Sequence, residues 1–249
     1  MRYTRYPSSR ITFSFGYFPT GVKWLLITNI AIFLLFNLGG RVLQQHMLVF
    51  SLAPIAVIDH FAIWQLVTYM FLHGSIWHLL FNMLSLWMFG SMLESDWGVS
   101  RFLKYYFICG VGAGICDVAV NAAMGIWNTH TIGASGAIYG LLLAFGVLYP
   151  NQTVLMNFLF PVRAKYLVMI YGAIALYSAM GENNGVSNIA HLGGMLFGFL
   201  YLKVRFTGFG SSLAEARGAY RQWKLQRAKR KFQVYMRKHG NSDRDRWVN

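Results

Sequence analysis

The chain has 249 residues, 56% hydrophobic and 12% charged, with a formal net charge of +14. A soluble globular domain carries about 45–50% apolar and about 25% charged residues. Here the charges are also segregated, absent over long stretches and crowded at the C-terminal end. That excludes an ordinary soluble domain and implies an all-α, polytopic membrane protein.

In chain order, six apolar segments are long enough to cross or nearly cross a bilayer: roughly 22–39, 73–93, 102–123, 134–149, 166–180 and 187–203. The first has the basic flank of a signal peptide. Arg41 and Val42 follow where a small-residue cleavage site would stand, so an uncleaved anchor is expected. Between the first two segments, 42–72 is apolar but broken by Pro54, Asp59 and His60, and is expected to lie in the membrane interface. The third segment holds both cysteines, Cys109 and Cys116. They share a helix face but lie too far apart along it for a disulfide, and read as small core residues. The fourth segment is short, opened by a Gly-rich stretch and ended by Pro150.

Lysine and arginine set the orientation. Arg2, Arg5, Arg10, Lys23, Arg101, Lys104, Arg163, Lys165 and the thirteen basic residues from Lys203 onward fall on one side, and Arg41 alone falls on the other. The expected organisation is a short cytoplasmic N-terminal segment (1–21), a six-helix domain (22–204) and a basic cytoplasmic tail (205–249). The expected setting is a cell membrane of the bacterial inner-membrane kind, with both termini cytoplasmic.

Polar residues inside spans are functional candidates. HGSIWHLLFNM on the second segment holds His73, His78 and Asn82, and the last two share a helix face. TIGASGAIYG at the head of the fourth holds Ser135 and Tyr139, again four apart, and NIAHLGGMLFG on the sixth holds His191. At about 1.5 Å per helical residue, Ser135 lies roughly 22 Å above the cytoplasmic edge, His191 and Asn82 roughly 18 Å and His78 roughly 24 Å. In a hydrocarbon core of about 30 Å, three separate spans thus bring these groups to one layer. Gly136 and Gly140 form a GxxxG on the fourth span, and Gly194 and Gly198 form another on the face of His191. Such spacing lets backbones approach closely, so spans four and six are expected to pack together with His191 beside Ser135. Gly110 and Gly114 offer a third close-packing surface on span three.

A serine hydroxyl needs a base to become a good nucleophile, and His191 is positioned to be that base; a neutral imidazole is the form required. Tyr139, one turn below Ser135, is placed to pack on the imidazole. Peptide hydrolysis also needs donors for the oxyanion, and His78, Asn82 and the Ser135 backbone N–H can supply them, at about 3–4 kcal/mol each. The glycines beside Ser135, Gly133 and Gly136, let a substrate backbone come close.

The set His73-x4-His78-x3-Asn82, Gly133-x-Ser135-Gly136 with Tyr139, and Ala190-His191-x-Gly193-Gly194-x3-Gly198 resembles the rhomboid intramembrane serine proteases over roughly residues 20 to 205. The resemblance implies a six-helix bundle and a Ser135–His191 dyad without an acid. It implies oxyanion donors at His78, Asn82 and the Ser135 backbone, a membrane-lying first loop over 42–72, and no cofactor. The substrates it implies are transmembrane helices of other proteins, cut near the outer face. Two departures stand out. Trp64-Gln65 replaces a frequent Trp-Arg pair, and only about 20 residues precede the first span.

Blander readings compete. Ser135 suits a helix contact as a small residue, His191 suits a hydrogen-bonded core, and His78 and Asn82 suit bridges between helices. His73 reads as structural rather than catalytic. Asp117 fits the interface, or a bond to a neighbouring helix end, better than a triad. Glu94 reads as a structural hydrogen-bonding group. A zinc protease would want H-E-x-x-H, which is absent, so no metal is expected. The elbow G-x-S-x-G fails at Ala137. A transporter would show two related halves, and none are visible. The competing function is a rhomboid-like, non-proteolytic binder of membrane helices. The tail from residue 203, thirteen basic residues against three acidic, is expected to meet anionic lipid headgroups rather than nucleic acid.

Overall fold

The structure is a computed structural model that describes residues 18–156, 160–180, 187–206, 220, 222–230, 232 and 235. Most of the N-terminal segment, with Arg2, Arg5 and Arg10, and much of the basic tail lie outside the described residues. The elements run α1 (Thr20–Leu38), α2 (Gly40–Phe50), α3 (Pro54–Ile58), α4 (Gln65–Thr68), a 3-10 turn (Tyr69–Phe71), α5 (Ile76–Trp97), α6 (Val99–Ala123), α7 (Ser135–Leu148), β1 (Thr153–Met156), β2 (Phe160–Arg163), α8 (Ala164–Ala179) and α9 (Asn188–Phe206).

Each apolar segment read from the sequence is helical. Among the described residues three helices, α1, α5 and α6, are long and apolar enough to cross a membrane, while α7 and α8 are apolar but shorter. The outer faces carry large apolar side chains such as Trp77, Phe81, Met169 and Leu176, as surfaces turned toward lipid do. The interior is aromatic: Phe102, Tyr105, Tyr106 and Phe145 are fully or almost fully buried, and Tyr105 donates to the Gly140 carbonyl at 2.8 Å.

The second segment starts later than its hydropathy suggests. Ser75 is extended (φ −153, ψ 160) and accepts from the His78 N–H at 3.1 Å, so the helix opens at Ile76. His73 therefore precedes α5 instead of riding on it. An apolar average cannot see an N-cap, which contributes about 1 kcal/mol through one side-chain oxygen. At the other end Gly98 (φ +76) closes α5 and opens α6 with no loop between them, a backbone conformation that favours glycine.

One turn before Gly98, the buried Glu94 carboxylate reaches the head of α1. It accepts from the Gly21 N–H at 2.8 Å and the Val22 N–H at 2.7 Å. First-turn N–H groups have no acceptor inside their own helix, and a carboxylate there also meets the positive end of the helix dipole. Glu94 is thus a clamp between two helices 72 and 73 residues apart in sequence.

The connection 42–72 is a run of short helices held by side-chain bonds. Gln65 is buried; its Oε1 accepts from the Ala53 N–H at 3.1 Å and its Nε2 donates to the Val49 carbonyl at 3.0 Å. Thr68 donates to the Phe50 carbonyl at 2.7 Å. Leu52 and Thr131 exchange both backbone bonds, at 2.9 and 2.8 Å, which ties this connection to the lead-in of α7. Between α7 and α8 the chain makes a short antiparallel hairpin, Thr153 opposite Arg163 and Met156 opposite Phe160, which the hydropathy pattern did not signal.

The chain divides into two units, Met1–Phe199 and Leu200–Asn249. In the second, residues 222–230 are helical and exposed; Tyr220 stacks on Trp223, and the Arg227 guanidinium lies 5.3 Å from the Trp223 ring centre.

Candidate active site

The site is assembled at the head of α7. Gly133 has φ +119, and its N–H donates to the Tyr69 carbonyl at 2.9 Å. A side chain there would be strained, and its Cβ would fall 2.7 Å from His78 Nε2. The glycine thus turns the backbone and lets His78 of α5 approach it closely. Ser135 is the first residue of α7, half-buried. Its N–H has no acceptor within the helix by position.

Helix α9 reaches Ser135 because two glycines meet. A Cβ at Gly194 would fall on the Gly136 carbonyl oxygen, and one at Gly140 would fall on Cys109 and 3.1 Å from the Gly194 carbonyl. The backbones of α7 and α9 touch directly. Gly193 meets α6 at Ala113 and Cys116, and Gly112 on α6 meets Phe197, contacts that the GxxxG pattern did not flag. Gly110 and Gly114 face the 42–72 connection, at Met70 and at Tyr69, Leu52 and Leu66.

This packing brings His191 Nε2 to 2.8 Å from Ser135 Oγ. Tyr139 lies against the imidazole with ring centres 4.1 Å apart and planes 4° from parallel, and Tyr171 of α8 meets Tyr139 edge-on at 6.2 Å. His191 Nδ1 is buried without a hydrogen-bond partner. Asp117 is fully buried and bonded elsewhere, to Asn121, Thr131 and Ser187.

Across Gly133 stand the α5 groups. Asn82 is buried, and its Nδ2 has no partner and lies 3.7 Å from where a Gly133 Cβ would be. His78 is half-buried and meets the buried His73 edge-on, ring centres 5.0 Å apart. Ser135, His191 and Tyr139 thus stand in contact, and His78 and Asn82 stand across Gly133, two residues before the serine, with His73 beside His78, Gly133 and Gly136 flanking the serine, and Gly194 and Gly198 on the histidine helix.

Sequence reasoning missed Tyr69. Burial, with the Asp117 carboxylate adding to it, pushes its hydroxyl well above the ordinary value. The hydroxyl donates to the Gly110 carbonyl at 2.7 Å while the Tyr69 carbonyl holds Gly133. Nothing in the local pattern marks a tyrosine in a broken apolar connection for such a task.

The family model of the Rhomboid domain matches residues 60–207. The chain belongs to the rhomboid family. Among curated rhomboid relatives, it is 39% identical over 145 residues to RHOMBOID-like protein 1 of Arabidopsis thaliana, covering 58% of this chain and 35% of that protein. It is 32% identical over 235 residues to Rhomboid protein 1, mitochondrial, of Saccharomyces cerevisiae, covering 88% and 61%. It is 29% identical over 182 residues to Rhomboid protease GluP of Bacillus subtilis, covering 73% and 34%. The chain thus spans about one third to three fifths of the length of these rhomboid relatives.

Proposed function

We propose that this protein is an intramembrane serine endopeptidase that hydrolyses a peptide bond in or next to transmembrane helices of other proteins. The observation that carries the reading is the 2.8 Å contact between Ser135 Oγ and His191 Nε2. Kinship to a relative named Rhomboid protease adds to it.

In this mechanism His191 Nε2 takes the Ser135 hydroxyl proton as Oγ attacks the scissile carbonyl carbon. The donors offered to the oxyanion are Asn82 Nδ2, the His78 ring and the Ser135 N–H. The tetrahedral intermediate collapses as the imidazolium gives its proton to the leaving amine, leaving an acyl-serine. His191 then deprotonates a water, which attacks the ester, and the proton returns to Ser135 Oγ. Tyr139 keeps the imidazole plane fixed throughout. The cycle consumes one water and uses no metal or cofactor.

The topology proposed with it has six crossings, both termini cytoplasmic, a protease domain over 22–204 and a tail over 205–249. The tail's exposed Tyr220 and Trp223 beside Lys224, Arg227, Lys229 and Arg230 suit the anionic headgroup layer. The test of the catalytic reading is a purified protein offered a single-span model substrate and a fluorophosphonate probe. The parent should cut and be labelled at Ser135, and Ser135→Ala should do neither while melting at the parent temperature. Equal cleavage by both proteins would sink the reading.

A further inference from the structure

Ser135 and His191 are each preceded, four residues upstream, by a hydroxyl residue, Thr131 and Ser187. One carboxylate holds both. Thr131 Oγ1 donates to Asp117 Oδ2 at 2.9 Å, and Ser187 Oγ donates to Asp117 Oδ1. Asn121, one turn on along α6, adds a bond from Nδ2 to Oδ1 at 3.1 Å. Asp117 itself is fully buried.

Both hydroxyl residues are fixed to the elements they lead. Ser187 opens α9: its Oγ accepts from the Ala190 N–H at 3.1 Å, and its carbonyl accepts from the His191 N–H at 3.3 Å. Thr131 is paired by both backbone bonds to Leu52. The glycine contact of α7 with α9 sets how near the two helices come, but glycines have no side chains to stop one helix turning about its axis. A bond at the head of α9 stops that turning, since it holds a point one helical turn from the imidazole.

We infer that Asp117 is a positioning residue that fixes the alignment of His191 on Ser135 by anchoring the leads of both helices, through Ser187 and Thr131. This rests on the protease reading above. Asp117 is not a third member of a catalytic triad: its oxygens are taken by these donors, and His191 Nδ1 has no partner. A buried carboxylate in a membrane domain needs several donors in any case. The positioning role adds a consequence for rate, because a shift of about 1 Å at reacting atoms costs about 10²-fold.

The test compares the parent with Ser187→Ala, Ser187→Thr, Asp117→Asn and the Ser187→Ala/Asp117→Asn pair, in full-length protein. The readouts are kcat and KM on a single-span substrate, the fluorophosphonate labelling rate at Ser135, and the melting temperature. Ser187→Ala should lower kcat and labelling about 10- to 100-fold, with KM within about twofold, since neither residue is placed against substrate. Ser187→Thr keeps the hydroxyl and should return both rates to within about threefold of the parent. The pair should lose little beyond the worse single variant, because the Ser187 bond is one of those that Asp117→Asn already disturbs. Parent-like rates in a folded Ser187→Ala, or a loss that threonine does not rescue, would overturn the inference. Should Asp117→Asn not fold, the two Ser187 variants decide alone. A parent that neither cuts nor labels overturns the protease reading and this inference with it; an active parent with unaffected variants overturns this inference only.

Discussion

Tyr139 and His191 lie ring on ring, 4.1 Å between centres and 4° from parallel. The tyrosine comes from α7 and the histidine from α9, so the stack joins the two helices at the level of the reacting atoms. An aromatic pair of this kind contributes about 0.5–1.5 kcal/mol, which at its upper end is about tenfold in rate. Tyr139→Phe keeps the ring and should cleave a single-span substrate within about threefold of the parent. Tyr139→Ala frees the imidazole and should lose about tenfold or more in kcat. Equal rates for the two variants would show that the stack does not orient the base.

Asn82 offers a separation of activity from stability. Its Nδ2 is buried and bonds to nothing in the resting protein. Replacing it removes no existing bond at that atom, while the transition state loses a donor. Asn82→Ala should therefore cost about 10²–10³ in kcat, with a melting temperature at or above the parent's. A large drop in melting temperature with little change in rate would make Asn82 a structural bridge.

The glycines of the helix contact predict a graded series. Gly194→Ala puts a methyl group on the Gly136 carbonyl oxygen, a clash with backbone that no rotamer relieves. It should destabilise by about 2–3 kcal/mol or more. At Gly172 on α8 the nearest atom to a new Cβ is Met195 Cε at 3.4 Å, the end of a flexible side chain. Gly172→Ala should be neutral or stabilising by up to about 1 kcal/mol, through helix propensity. Thermal melts in one detergent check both.

Gln65 uses both ends of its amide to hold the 42–72 connection. It gives a hydrogen to Val49 and takes one from Ala53. Arginine has donors only, so Gln65→Arg leaves the Ala53 N–H without its acceptor, and Gln65→Met leaves both groups unmatched. Each should lower stability by about 1–3 kcal/mol. An unchanged melt for Gln65→Met would mean that the clamp is dispensable.

The basic tail should respond to lipid charge. Residues 220–235 of the protein in nanodiscs should be more protected from hydrogen exchange with phosphatidylglycerol than with phosphatidylcholine alone. At about 1 kcal/mol per basic side chain near the surface, salt of about 0.5 M should erase the difference. Equal exchange in both lipids would point to a solvated tail.

Each apolar segment read from hydropathy falls on a helix, and three of these helices are long and apolar enough to cross a membrane among the described residues, because lipid imposes a one-dimensional code of length and polarity. Of the residues expected at one depth, Ser135 and His191 are in contact, and His78 and Asn82 stand beside Gly133. What that code omits is lateral and local. The Ser75 cap, which leaves His73 outside α5, is one hydrogen bond. Asp117 looked like a residue for the interface or for a helix end. Its burial depends on donors 14 and 70 residues away, which no periodicity relates. The hairpin at 153–163 and the two-ended use of Gln65 depend in the same way on groups that come together only in three dimensions.

Between Gly136 and Gly194 the main chains of α7 and α9 meet with no side chain in between. Main chain packed on main chain transmits tilt without absorbing it, while the Ser187–Asp117 bond holds the rotation. In a bilayer that thins or thickens, the two helices should lean as one body, and the serine and imidazole they carry would keep their separation. The rest of the bundle is then free to vary its width for different lipids and different guests without retuning the chemistry.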